Sequence, residues 1–249
     1  MALLNEYHRP TTLADALALL QRRDRHLLPL AGGSKLIGLL ETRTLTDVDG
    51  VVDLAGLGLD TLTVHDGTLH IGATVTLTRL VEDPTTGGLA DGLLRRAAQG
   101  EGPVNLRNVA TVGGVIAAAE PDSEVYAALL ALDARVTVQD SSGATTTPLA
   151  QLGPLQGLVI AVHVPLAAMR GGLARVARTP ADRPIVAALA ASAPDGVRVA
   201  LCGVAPRPIL AGVTLDRVPS GRDDFKGSAT YRRAMAEIVT QRALADLSA

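Results

Sequence analysis

The sequence predicts an α+β protein made of two units, and three observations support this class. The chain has 249 residues, 47% of them hydrophobic, which is enough for one large domain or two modest ones. Near residue 165 the pattern of predicted elements changes: three strand-like runs with short connections come before one long helical segment. Strands followed by a helix, without strict alternation, are typical of a separate α+β unit. We therefore expect a first unit over residues 1–168 and a second over residues 169–249.

The first unit opens with a predicted helix within 9–23. Thr11 or Thr12 can cap its N-terminus, and Asp15 falls in its first turn. Its apolar face is formed by residues at helical spacing, Leu13, Ala16, Leu17 and Leu20.

The rest of the first unit mixes strands and helices. Asp66 and Gly67 predict the turn of a hairpin, and Pro121 suits the first position of a helix. Along the chain we expect a strand, a glycine turn and a helix in 26–40, a strand in 50–56, a hairpin in 61–73, helices in 76–83, 88–100 and 121–134, and a second hairpin in 134–150. Residues 84–88 separate the first two of these later helices.

The second unit is predicted from three runs and a helix. The strand-like runs lie in 172–179, 185–192 and 197–206, and the helix extends from about Ser228 to Leu247. One side of this helix is marked by Tyr231, Met235, Ile238, Val239 and Arg242.

Composition excludes several classes of function. The net charge is −2 and there is no basic stripe, which argues against a nucleic-acid partner. Cys202 is the single cysteine, so this chain alone cannot hold an iron–sulfur cluster or a disulfide, and a reducing cytoplasm is expected. The N-terminus lacks the pattern of a secretory signal, and the apolar run 155–169 is interrupted by polar residues and proline, so we expect no transmembrane segment.

Two glycine turns carry the main functional signal. Residues 31–35 (AGGSK) and 111–114 (TVGG) each follow an apolar or extended stretch and precede a helix. Glycine lets the backbone approach a ligand, and consecutive N–H groups can form a concave anion site. A pair of such loops could hold both phosphates of a dinucleotide, although either one alone is compatible with an ordinary tight turn.

Other site motifs are missing from the sequence. Leu30 stands where a phosphate-binding P-loop needs glycine, and no GxGxxG opens a βαβ unit. The five histidines show no metal-ligand spacing, and no nucleophile is accompanied by a base.

In order along the chain, the segments YHRPTTLADALALL, LAGGSKLIGLL, VVDLAGL, LRNVATVGGVI, EPDSEVYAALLALDARV and VRVALCGVAPRPILA resemble one family. It is the FAD-binding medium subunit of the molybdenum hydroxylases, the carbon monoxide dehydrogenase and xanthine dehydrogenase type. The resemblance runs through nearly the whole chain.

The resemblance implies a fold and a complex. The first unit would have the two-part FAD-binding fold of vanillyl-alcohol oxidase-like enzymes, and the second a three-stranded antiparallel sheet with helices. FAD would be bound non-covalently. Partners would be a large molybdopterin subunit and a small subunit with two [2Fe–2S] clusters. The three subunits would form a heterotrimer, and relatives suggest a dimer of heterotrimers. Electrons would pass from the clusters through FAD to an acceptor, while the protein supplies position and electrostatics and no catalytic acid or base.

Site residues are carried over from the family pattern. Glu124 falls where the family usually has an Asp that hydrogen-bonds the cofactor, and Arg175 falls where a Lys is common. The full set implied by the resemblance is Pro29, Leu30, Ala31, Gly32, Gly33, Ser34, Lys35, Leu36, Ala110, Thr111, Val112, Gly113, Gly114, Ser123, Glu124, Arg175 and Asp182.

The sequence departs from the family pattern at several positions. Val115 stands in place of an Asn, Glu124 is one methylene longer than Asp, and an aromatic loop over the flavin is missing. Each lost hydrogen bond weakens binding by ~1 kcal/mol. Two alternatives follow: a structural or assembly subunit that has lost FAD, and a stand-alone flavin reductase of the same fold.

Overall fold

Three sheets and nine α-helices form the fold in the computed structural model, which describes residues 4–167, 170–215, 218–219 and 223–248. The strands are β1 (Glu6–His8), β2 (Leu27–Leu30), β3 (Gly50–Asp53), β4 (Leu62–His65), β5 (Thr68–Gly72), β6 (Arg135–Asp140), β7 (Gly143–Pro148), β8 (Leu158–Pro165), β9 (Arg170–Val176), β10 (Val186–Ala193), β11 (Gly196–Cys202) and β12 (Ile209–Leu210). The helices are α1 (Leu13–Leu20), α2 (Leu36–Glu41), α3 (Leu77–Glu82), α4 (Pro84–Gly88), α5 (Leu93–Gly100), α6 (Val104–Arg107), α7 (Val112–Ala118), α8 (Glu124–Ala131) and α9 (Ala229–Asp246).

The sheets differ in strand direction. The first is parallel, in the order β1-β3-β2, and the second is antiparallel, in the order β4-β5-β8-β6-β7. The third is antiparallel, in the order β12-β11-β10-β9. In the described part of the chain, the mixture of one parallel sheet with two antiparallel ones agrees with the predicted α+β class.

Helix α8 lies at the centre of the largest hydrophobic core, and all of its residues are buried. It packs against α5 on one side and against β10 and β11 on the other. The residues of β10 and β11 that join this core are small or medium-sized, Ala187, Leu189, Ala191, Ala200 and Cys202. The proposed first and second units therefore share one core rather than meeting only at their surfaces.

Several predicted elements are confirmed together with their local signals. Thr12 caps α1 by accepting a hydrogen bond from the Asp15 N–H, and Ser228 caps α9 by accepting one from Tyr231. The hairpin turn at Asp66 and Gly67 has positive φ at both residues, as a type I′ turn requires.

Two helix predictions are wrong at their N-termini. Pro121 is not the first helical residue, because the Ser123 hydroxyl accepts from the Tyr126 N–H and α8 begins at Glu124. The helix predicted from residue 88 begins at Leu93, because residues 90–92 take left-handed conformations. The Asp91 carboxylate accepts from the Gly171 N–H, which fixes that turn against β9.

Other differences concern segments without a strong local pattern. Residues 84–88, predicted as a separator, form α4 with Pro84 at its start and Asp83 as its cap. The second unit has a fourth, two-residue strand, β12, beside the three predicted ones. Strands β9 and β10 pack against α9, whose buried residues include Val239 of the predicted side and also Arg232, Ala236, Thr240 and Ala243.

Within the described residues, no helix is both long and apolar enough to cross a membrane. No cluster of three or more His, Cys, Asp or Glu in this part of the chain is arranged to hold a metal ion.

Candidate functional site

The two glycine turns meet in space. The first loop, residues 31–35, follows β2, and the second loop, residues 110–114, leads from α6 into α7. A Cβ atom at Gly32 would overlap the carbonyl oxygen of Val109, so the two backbones touch where only glycine fits. A cavity of about 490 Å³ opens beside this contact, within the size range of small-molecule sites.

Most of the predicted site residues line this cavity. From the first loop and its flanks these are Pro29, Ala31, Gly32, Gly33, Ser34, Lys35 and Leu36, and from the second side Ala110, Thr111, Gly113, Gly114 and Ser123. The described structure thus brings together segments that are far apart in the sequence.

Five predicted site residues do not line the cavity: Leu30, Val112, Glu124, Arg175 and Asp182. Val112 is fully buried in the core. Arg175 lies 3.4 Å from the Glu124 carboxylate and donates to the carbonyl of Asp182, so these three residues contact one another.

The second loop uses its N–H groups within the protein. The N–H of Val112 donates to Val75, that of Gly113 to Ala73, and that of Gly114 to the Thr111 hydroxyl, at 3.0, 2.8 and 3.2 Å. A Cβ at Gly113 would come within 2.7 Å of the Ala73 Cβ. The Gly113 position is thus dictated by close packing, and the expected anion cradle of N–H groups is not present in this loop.

The first loop is different. In the part of the chain that the structure describes, no protein acceptor receives the N–H groups of Gly32, Gly33, Ser34 and Lys35. Gly33 has φ of +73°, which turns the loop back before α2. Consecutive unpaired N–H groups beside a cavity are the donors that an anion such as a phosphate requires.

An ion-pair network that the sequence did not reveal closes one end of the cavity. Arg183, in the connection between β9 and β10, pairs with Glu101, with Glu120 at 2.5 Å and with Asp122 at 3.3 Å. Lys35 of the first loop pairs with the other oxygen of Glu120. No local spacing could have predicted this network, because its members come from separate loops.

The charges in this network perturb one another. Partial burial raises the pKa of Glu120, but the hydrogen bond from Lys35 and the charge of Arg183 outweigh burial, and the pKa lies below its usual value. For Glu101, deep burial dominates over Arg183 and raises the pKa. Glu101 and Glu120 both line the cavity, and their pKa values are shifted in opposite directions.

The family of the chain follows from its sequence match. Residues 3–167 match the model of the FAD binding domain in molybdopterin dehydrogenase, which covers more than half of the chain. The chain belongs to this family.

Named relatives extend this finding. The chain is 33% identical to the xanthine dehydrogenase FAD-binding subunit of Escherichia coli O157:H7, over 57% of this chain and 49% of the relative. It therefore spans about half the length of that relative. It is 26% identical to the carbon monoxide dehydrogenase medium chain of Afipia carboxidovorans, over 96% of this chain and 95% of the relative.

Solved structures share the fold. A carbon monoxide dehydrogenase from Hydrogenophaga pseudoflava superposes with a TM-score of 0.90 at 23% identity, covering 100% of this chain and 98% of the other. The relatives that this chain resembles are named FAD-binding subunits and medium chains of dehydrogenases.

The cavity of this family member fits part of an FAD molecule. The N–H groups of the first loop that lack an acceptor among the described residues suit the diphosphate, and the cations Lys35 and Arg183, each paired with Glu120, also line the cavity. No aromatic side chain is among the described residues that line the cavity. Phe225, with 83% of its surface exposed, lies elsewhere, against Arg178. Stacking on a flavin ring is therefore not provided by the described cavity wall.

Glu124 lies behind the cavity in an unusual environment. Its side chain is 1% exposed, and neither carboxylate oxygen has a hydrogen-bond partner among the described residues. Burial raises the pKa of Glu124 to about 7, against the opposing charge of Arg175. This carboxyl group titrates near neutral pH and bears on the stability of α8.

Proposed function

We propose that this chain binds FAD non-covalently and is the electron-transferring medium subunit of a molybdenum-containing hydroxylase or dehydrogenase. The observation that carries the proposal is the first loop: four of its N–H groups have no acceptor among the described residues, and they lie beside a cavity that the second loop also lines. The family match over residues 3–167 supports FAD as the ligand.

The redox chemistry belongs to FAD when it is bound. The chain's own residues bind and orient it. Gly32, Gly33, Ser34 and Lys35 would donate main-chain hydrogen bonds to the diphosphate, and apolar residues such as Leu158 and Val159 would exclude water from the cavity. The second loop would hold the first in place through the contact at Val109.

The partners proposed here are a large molybdopterin subunit and a small subunit with two [2Fe–2S] clusters, from which electrons would reach FAD and then an acceptor. Relatives named medium chains of carbon monoxide and glyceraldehyde dehydrogenases support such a complex. The single cysteine, Cys202, is buried and fits the placement of the clusters in a partner. The dimer of heterotrimers, the cytoplasmic location and the division at residues 168 and 169 stay predictions.

The test is a visible absorption spectrum of the purified full chain, alone and after addition of FAD. We expect a flavin spectrum that stays with the protein during gel filtration and is released when the protein is denatured. A chain that stays colourless with excess FAD would contradict the proposal.

A second function is favoured by specific residues. Val115 and the absence of an aromatic side chain among the described cavity-lining residues both remove ligand contacts. These features fit a family member that has lost FAD and serves as a structural or assembly subunit. This function predicts colourless protein that still co-purifies with the two partner subunits.

A further inference from the structure

The Glu120 carboxylate lies between two cations from distant parts of the chain. One oxygen accepts from the Lys35 ammonium of the first loop, and the other accepts from the Arg183 guanidinium at 2.5 Å. All three residues line the cavity. Glu120 thus pairs with the ammonium group of Lys35, a residue of the first loop itself.

Most of the cations around this end of the cavity already have carboxylate partners within the described residues. Four carboxylates, Glu101, Glu120, Asp122 and Glu124, are paired with four cations, Lys35, Arg175, Arg183 and Lys226. Among the described cations that line the cavity, Lys35 and Arg183 already pair with carboxylates, whereas Arg107 donates only to the carbonyls of Gln99 and Gly102. Like charges held close together are unfavourable, so a diphosphate that binds Lys35 or Arg183 must displace the Glu120 carboxylate from that cation.

Glu120 is the carboxylate best placed to give up its partners. Glu101 is 9% exposed and also accepts from the Val125 N–H at the start of α8, while Asp122 also binds Lys226. Among the described residues, the side chain of Glu120, which is 27% exposed, is held only by Lys35 and Arg183. Without the charge of Glu120, Arg183 keeps two carboxylate partners, whereas Lys35 becomes free for another anion.

We propose that Glu120 is an internal competitor for the anionic part of the dinucleotide, and that its carboxylate occupies the cations which a diphosphate would otherwise bind. This inference rests on the proposed function. It makes Glu120 an affinity-determining residue: its negative charge weakens FAD binding and keeps the cofactor exchangeable.

The experiment compares the full-length wild-type chain with Glu120→Gln in binding titrations with FAD, ADP and riboflavin. The variant should bind FAD and ADP about five- to tenfold more tightly, because Gln keeps the shape of the side chain but not its charge. Riboflavin lacks phosphate, so its affinity should change less than twofold. The gain for FAD should shrink at high salt, since it is electrostatic.

Two further variants give the inference its controls. Glu237→Gln removes an exposed carboxylate on α9, far along the chain from the network, and should leave all three affinities unchanged. Lys35→Met in the Glu120→Gln background should cancel most of the gain, since Lys35 is the cation that Glu120 releases. Thermal unfolding of each variant checks that it folds.

The outcomes separate the inference from the proposed function. Unchanged or weaker binding of FAD and ADP by Glu120→Gln would overturn the inference even if the wild-type chain binds FAD well. An equal gain for riboflavin would overturn it too, because the effect would not depend on phosphate. Failure of both chains to bind FAD would reject the proposed function, while the ADP titration would still decide the role of Glu120.

Discussion

The first loop (31–35) and the second loop (110–114) have the same local setting, yet their N–H groups have different partners. In the second loop the N–H groups of residues 112–114 are bound to protein acceptors, two of them around the end of β5. In the first loop the N–H groups of four residues have no protein acceptor within the described chain. A glycine pair therefore indicates close backbone packing as readily as ligand binding. The two cases are distinguished by whether each main-chain N–H group has an acceptor within the protein.

The largest expected effect is the pH dependence of stability. It comes from the buried Glu124, which follows the second loop and α7 along the chain. Its pKa rises from 4.5 to about 7, so between these values the folded chain binds more protons than the unfolded chain. The stability this gives is fully present below about pH 4.5, and the free energy of unfolding should fall by about 3 kcal/mol as pH rises through 7. Denaturant unfolding at several pH values measures this change.

Glu124→Gln should remove most of that pH dependence, while Glu237→Gln should retain it. If the free energy of unfolding changes with pH equally in Glu124→Gln and in wild type, another group is responsible. The contrast between the two sides of the cavity would then not extend to pH dependence.

Gly32→Ala tests the contact between the loops. The added Cβ overlaps the Val109 carbonyl, and overpacking of this kind costs about 1–3 kcal/mol. Because the first loop must move, we expect FAD affinity to fall roughly thirtyfold, measured by titration. Gly38→Ala is the matched control, since a Cβ there meets no atom within 4 Å and the residue lies in α2. If Gly32→Ala binds FAD like wild type, the first loop is not the diphosphate site.

Thr111→Val tests whether the second loop is structural. The Thr111 hydroxyl caps α7 through the Gly114 N–H, and losing such a cap costs about 1 kcal/mol. We expect a lower midpoint of thermal unfolding, FAD affinity within threefold of wild type, and near-normal behaviour for Thr111→Ser. A tenfold loss of FAD affinity at unchanged stability would make Thr111 a ligand contact and end the contrast between the loops.

Gly114→Ala should have the smallest effect. A Cβ at this position meets only the Thr111 hydroxyl, at 3.0 Å, which a shift of a few tenths of an ångström relieves. Alanine is also favoured over glycine within a helix by about 1 kcal/mol. We expect stability within about 0.5 kcal/mol of wild type and FAD affinity within twofold. A large loss of affinity here would indicate that the second loop approaches the ligand as closely as the first.

Local signals predicted much of the fold. Capping residues such as Ser228 and turn residues such as Asp66 and Gly67 act through neighbours a few positions away, so the sequence shows them directly. Strand β1 was not predicted, because three residues form it only by pairing with β3. Pro121 was misleading for a similar reason, since Ser123 provides the stronger cap.

The candidate site was predicted only in part. Both glycine loops were found, but the partners of the second loop lie more than 30 positions earlier, at Ala73 and Val75, and no sequence pattern links them. The network around Arg183 joins residues from 35 to 226 and depends entirely on tertiary folding. Glu124 was predicted as a cofactor-binding residue, but it does not line the cavity, and its charged neighbour in the structure is Arg175.

The complete burial of α8 has a consequence for synthesis on the ribosome. The nascent helix leaves the exit tunnel before β10 and β11, which cover one of its sides. At about 5–20 residues per second, translation from Ala131 to Cys202 takes roughly 4–14 s. During that interval an apolar helix is exposed to solvent, so chains stalled before residue 202 should be captured by chaperones or aggregate.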